Sequence, residues 1–244
     1  MMSARLHQQV PFRVLPLPPM KIIASLPLKA AYKELGPQFE RARGAGASAE
    51  WVGMADIRKR MLAGEAADAV IGSAALIDEL MAAGAVRPGS RVDVVKSGAG
   101  VAVRKGAPKP DIGSSEALYR ALRSAKSIVY SSGPSGVYLA ELFKRNGLAA
   151  ELKDRLRQTP PGTLVGELVA RGEAQICFQQ MPELLQVEGI EVVGPLPADI
   201  QIVTVFSGGI PAKSADPEGA RALFEFLRSE AAQPAIRRFG MERP

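Results

Sequence analysis

The stretch Tyr130-Ser-Ser-Gly-Pro-Ser-Gly-Val-Tyr138 joins an apolar run to a helical pattern, and six of its residues are serine, glycine or proline. A tight turn needs only one or two such residues. A site for an anion can use nearly all of them. Hydroxyls donate hydrogen bonds, glycine lets backbone approach closely, and proline suits a first helical turn. A helix start also leaves about four amides unpaired and carries roughly half a positive charge, which favours an oxyanion. Ser131, Ser132, Gly133, Ser135 and Gly136 are therefore candidate ligand-binding residues.

Similar chemistry recurs where other strands are expected to end. Ser25-Leu26 closes the first apolar run, Gly53-Met54 the second and Gly72-Ser73 the third. Ser97-Gly98 follows the run at Val92, and Gln179-Gln180 follows the run at Ile176. Ligands of open parallel sheets sit beyond the carboxyl ends of strands. Each motif alone also serves as an ordinary cap or turn. Their recurrence points to one shared anion cleft, so Ser25, Leu26, Gly53, Met54, Ser73, Ser97, Gly98, Gln179 and Gln180 join the candidate set.

Other chemistries are poorly provided for. There is no GxxxxGK[ST], and no GxGxxG opens a helix after a strand. The single histidine, His7, lies in an irregular N-terminal segment, and the single cysteine, Cys177, in the apolar run Ala174-Gln-Ile-Cys-Phe178. This argues against a Ser-His-Asp or Cys-His machine and against a multi-histidine metal site. Cys177 reads as a small buried hydrophobe. No metal and no cofactor is expected.

The 244 residues are 47% hydrophobic and 23% charged, with a net charge of +6. Lysine and arginine are dispersed without an aromatic-interleaved stripe, which argues against nucleic acid as a partner. No run approaches the ~18 apolar residues of a membrane-spanning helix, so no membrane insertion is expected. Prolines and Arg13 interrupt the N-terminal segment, which lacks the apolar core and cleavage site of a secretory signal. As written, the chain is expected to be cytoplasmic, with a periplasmic location if the true start codon lies elsewhere. Residues 1–19 are expected to be irregular and folding to begin at Met20.

The elements that must position these residues alternate along the chain. Strands are expected at 21–24, 51–52, 68–71, 92–95, 100–103, 127–130, 175–178 and 200–206. Helices are expected at 25–43, 54–62, 75–83, around Leu118 and Leu122, from the Ser131–Gly136 turn through Lys144 to a Gly147 cap, and at 163–171, 217–228 and 231–239. In the helix at 54–62, Ile57, Met61 and Leu62 should face inward. Such alternation predicts an α/β fold with mainly parallel strands.

Several of these motifs, in order and spacing, resemble the periplasmic molybdate-binding proteins, a branch of the type 2 solute-binding fold. Ile22-Ile-Ala-Ser-Leu26 resembles that family's opening strand and first ligand serine. Gly64-Glu-Ala-Ala-Asp-Ala-Val-Ile-Gly-Ser-Ala74 resembles its alanine- and aspartate-rich run into a strand ending in serine. Gly133-Pro-Ser-Gly136 falls where the family donates backbone amides, and Gly172-Glu-Ala-Gln-Ile-Cys-Phe-Gln179 where it has a strand ending in a ligand tyrosine. Two positions depart: Met54 stands at the second ligand serine and Gln179 at the tyrosine. Ser97-Gly-Ala-Gly-Val-Ala-Val-Arg104, Ser132-Gly-Pro-Ser-Gly-Val-Tyr138 and Phe178-Gln-Gln180 are more similar to an enzymatic branch, the aconitate isomerases.

The resemblance implies two α/β lobes joined by a two-stranded hinge, with a ligand enclosed between them. The lobes would comprise residues 20–98 with 200–244, and residues 99–199. It implies capture of a small anion, an oxyanion or an organic carboxylate, for an ABC permease if the chain is exported. The alternative is an isomerase that shifts a double bond in an unsaturated tricarboxylate. Such a shift needs a base, and Tyr130, Tyr138, Lys29, Lys96 or an acidic group could supply it. Lys96 and Arg58 could anchor carboxylates. No catalytic residue can be assigned from the resemblance.

Overall fold

The computed structural model describes residues 18–244. His7 and all but the last two residues of the expected irregular segment 1–19 lie outside them. β1 (Met20–Ser25) is almost wholly buried and runs through a single 3-10 turn, Leu26–Leu28, into α1 (Lys29–Arg43). β2 (Ala47–Val52), α2 (Met54–Leu62), β3 (Ala69–Ser73) and α3 (Ala74–Ala82) follow. In α2, Ile57 and Met61 face inward as expected, whereas Leu62 is 43% exposed. One further residue turns a side chain by about 100°, which carries Leu62 off the apolar stripe.

β4 (Val92–Arg104) is one unbroken strand where two short ones were expected around Ser97-Gly98. After it come α4 (Ser115–Ser124), β5 (Ile128–Tyr130), α5 (Pro134–Arg145), α6 (Leu148–Glu151) and β6 (Leu156–Gln158). The chain continues through α7 (Val165–Ala170), β7 (Ile176–Gln180), α8 (Met181–Leu185) and β8 (Ile190–Pro195). A 3-10 turn at Ala198–Ile200 replaces the expected start of a strand at 200. β9 (Val203–Gly209), α9 (Pro217–Arg228), α10 (Gln233–Arg238) and β10 (Met241–Glu242) complete the fold.

The strands are ordered β2-β1-β3-β9-β4-β7-β5-β6, with β8 and β10 also paired to β4. Two parallel triads, β2-β1-β3 and β6-β5-β7, occupy the two halves. Every other named pair is antiparallel, which corrects the expectation of mainly parallel strands. β4 takes part in all of these but β3–β9: residues 92–98 pair with β9, whereas residues 99–104 pair with β7 and β8.

Apolar side chains collect on either side of this switch. Leu35, Phe39, Phe206, Leu223 and Phe224 share one core, and Ile57, Ile77 and Leu80 extend the same half. Leu118, Leu122, Phe143 and Phe178 share the other, with Val165, Val169 and Cys177 on the opposite face of its sheet. The molecule is thus two α/β lobes joined by the middle of β4 and the segment leading into β9.

At the crossing, the Gln201 side chain reinforces the backbone bond from Ala99 N–H to Ile202 O at 3.3 Å. Its Oε1 accepts from the Ala99 and Ile202 N–H groups at 2.9 Å, and its Nε2 donates to Ala99 O at 3.0 Å. A Cβ at Gly98 would lie 3.0 Å from that amide, so glycine lets it seat. Gln201→Ala removes these bonds and should lower unfolding free energy by about 1–3 kcal/mol, measured by urea denaturation.

Candidate functional site

The carboxyl ends of the two parallel triads face each other across a cleft of about 70 Å³. A cavity holds a water once it exceeds roughly 10–15 Å³, so the space admits several heavy atoms. One lobe contributes Ser25, Leu26, Gly53 and Met54. The other contributes Ser131, Ser132, Gly133, Ser135, Gln179 and Gln180. These candidates, distant in sequence, line one space. Pro161, Gly162, Thr163, Glu183 and Phe206 line it too and were not anticipated.

Three helix starts meet at this space. The 3-10 turn ahead of α1 starts at Ser25, α2 at Gly53 and α5 at Gly133, and none has a side-chain cap bond. By contrast, Ser73 caps α3, Ser114 caps α4 and Asp216 caps α9. All three of these starts border the cleft, although α6 and α10, away from it, also begin without a side-chain cap. Ser25 Oγ, 1% exposed as a residue, is buried there without a protein hydrogen-bond partner. A buried hydroxyl left unsatisfied costs about 1–3 kcal/mol, so an acceptor in the cleft would relieve it.

On the facing wall the turn from Ser131 to Gly136 is tightly folded. Ser131 N–H donates to Phe178 O at 3.3 Å, and Ser131 Oγ stands 3.5 Å from Ser135 Oγ. A Cβ at Gly136 would collide with the Ser131 carbonyl. Gly136 does not line the cleft; its lack of a side chain lets the turn close behind the serines. Across the mouth, a Cβ at Gly53 would lie 3.1 Å from Gly162 N, so the lobes meet backbone to backbone.

The Gln179 amide is fully engaged inside the protein. Its Oε1 accepts from Val165 N–H at 2.9 Å, and its Nε2 donates to Thr163 O at 3.1 Å and to Glu183 Oε1 at 2.8 Å. Glu183 is 7% exposed, and burial pushes its carboxyl from the ordinary 4.5 up to about 8. The Gln179 amide and the Gln180 backbone N–H oppose that shift. Among the described residues, Glu183 is also the one ionisable side chain that lines the cleft. A signal for it was present in the sequence: it is the sole charge in Ile176-Cys-Phe-Gln-Gln-Met-Pro-Glu-Leu-Leu185.

Other candidates have different surroundings. Ser73 Oγ accepts from Leu76 N–H at 3.3 Å and is outside the cleft lining. Ser97 and Gly98 belong to the crossing. There the Gln180 NH2 donates to Ser97 Oγ at 2.6 Å and to Gly98 O at 3.2 Å, while its oxygen accepts from Thr204 Oγ1 at 2.7 Å. Met54 packs its sulfur over Gly72.

None of the named candidates for the base lines the cleft. Tyr130 lies in the core edge-on to Phe143, and Tyr138 Oη donates to Ile200 O at 3.0 Å. Lys29 borders an outer groove, and Lys96 lies 3.9 Å from Glu242. Arg58 pairs with Glu79 at 2.5 Å on the surface, so neither proposed carboxylate anchor reaches the site. Cys177 is buried, with its thiol pushed up to about 12 by burial, in keeping with a packing role.

Two outcomes test this geometry. Gly136→Ala forces the Ser131 carbonyl aside and should cost about 1–3 kcal/mol of stability, measured by thermal and urea unfolding. Glu183 binds its proton more tightly in the folded chain, so folding takes up a proton between pH 4.5 and about 8. Its contribution is fully present below that window and is lost as pH rises through it. Wild type minus Glu183→Gln stability should therefore fall across the window, and a flat difference would contradict the buried acid.

Comparison with known proteins agrees with the architecture. The chain is 39% identical over 233 residues to an aconitate isomerase from a Pseudomonas species, covering 93% of this chain and 88% of the relative. The periplasmic molybdate-binding protein of Azotobacter vinelandii superposes with a TM-score of 0.77 at 17% identity, covering 92% of this chain and 99% of that one. The sulfate-binding protein of Mycobacterium tuberculosis gives 0.75 at 18%, covering 93% and 87%. These two share the two-lobed periplasmic-binding-protein fold. Residues 20–242 match the family described as bacterial extracellular solute-binding protein, and the chain belongs to that family.

Proposed function

We propose that the cleft captures a small organic carboxylate, with Ser25 Oγ and the uncapped amides of the three helix starts binding its oxygens. The observation that carries this reading is Ser25 Oγ, buried at the cleft with its hydrogen-bonding capacity unused. Among the described residues no lysine or arginine lines the space, so the anion's charge would be met by oriented dipoles. Leu26, Pro27, Val52, Met54 and Phe206 give the lining an apolar component. A carbon skeleton uses such a surface better than a bare tetrahedral oxyanion does.

The lobes in this reading are residues 20–98 with 200–244, and residues 99–199. They part at the β4 crossing to admit the ligand and close to enclose it. For an exported chain the partner would be an ABC permease receiving the closed form. A second reading is turnover of an unsaturated tricarboxylate, favoured by the near full-length similarity to an aconitate isomerase. Glu183 at the cleft supplies an ionisable group that capture alone does not require.

Thermal-shift measurements with citrate, cis-aconitate, trans-aconitate, sulfate, molybdate and tungstate test the ligand class. Carboxylates should raise the melting temperature, and Ser25→Ala should weaken the best of them by about tenfold or more. Stabilisation by the tetrahedral oxyanions alone would sink the carboxylate reading. NMR of any stabilising carboxylate then separates capture from turnover.

A further inference from the structure

We propose that Glu183 is the proton-transfer residue of this cleft, acting on a bound polycarboxylate that contains an allylic methylene group. The assignment rests on the isomerase reading above. Three geometric facts converge on it. Glu183 lines the same space as Ser25 and the Ser131–Ser135 turn, and no other lining side chain can exchange a proton near neutrality. Its carboxyl is held by Gln179, whose amide is fixed by Val165 N–H and Thr163 O. Gln179 is thus a positioning residue, and the glutamate it holds has little freedom to move away from a ligand.

The step balances without a cofactor. The Glu183 carboxylate removes a proton from the methylene carbon, and the C–H pair becomes a new carbon–carbon double bond to the central carbon. The original double bond's pair passes to the far carbon of the unit, spread over its carboxylate. The protonated Glu183 returns the proton to that far carbon, forming a C–H bond and regenerating its carboxylate. One residue serves both ends because the abstracting and donating groups are never needed together. The uncapped amides meet the charge that develops on the carboxylate oxygens.

The charged groups on the elements packed against α8 are Asp93, Lys96 and Arg104 of β4, Glu167 of α7 and Glu191 of β8. None lines the cleft, and none is among the causes of the Glu183 shift, which burial dominates. The reactive carboxylate therefore grows with pH toward about 8.

The test follows trans- and cis-aconitate by NMR in H2O and D2O, with wild type and Glu183→Gln. Wild type should interconvert them and exchange allylic protons with solvent, with kcat/KM rising between pH 6 and 8. Glu183→Gln should keep the ligand-induced thermal shift and lose at least about a hundredfold in kcat and in exchange. A variant that keeps kcat within threefold overturns the assignment and leaves the isomerase reading intact. A flat wild-type pH profile also overturns it, independently of any variant. A wild type that binds a carboxylate yet neither interconverts nor exchanges overturns both.

Discussion

Backbone amides at a helix start have a need for acceptors, met from side chains or from elsewhere. α3, α4 and α9 satisfy it with Ser73, Ser114 and Asp216. The turn into α1 and the starts of α2 and α5 do not satisfy it with a side chain, and they converge on one space. The two parallel triads bring them together, because a strand's carboxyl end and the following helix's amino end share a location. The glycines at 53 and 133 and the unpartnered Ser25 hydroxyl lie at that shared location.

Met20–Ser25 and the 131–136 turn were legible as site elements because both signals are local: an apolar run, then serine, glycine and proline. The antiparallel pairings were not. β4 reads as two strands because Gly98 and Gly100 look like interruptions, whereas they admit the Gln201 amide and the Met181 sulfur. β6, with the sequence Leu-Arg-Gln, is a short and largely exposed strand whose pattern resembles a loop. Its existence depends on pairing with β5, a contact that no local pattern encodes.

Gln179 and Glu183 show the same limit inside the site. The position of Gln179 at a strand end was readable, but its side chain is spent on Val165, Thr163 and Glu183. Its amide holds the Glu183 carboxyl inside the protein. Recognising Glu183 required knowing that β7 ends at Gln180 and that Pro182 lies in the first turn of the next helix. That turn carries a glutamate, ordinarily a surface residue, into the interior.

The backbone seam between Gly53 and Gly162 bears on how long a bound molecule stays. Neither residue has a side chain to reorient, so parting the lobes there requires no rotamer exchange. Elsewhere Met181 and Leu185 of α8 lie against Gly240, so resistance to opening would come from side chains there rather than from the seam.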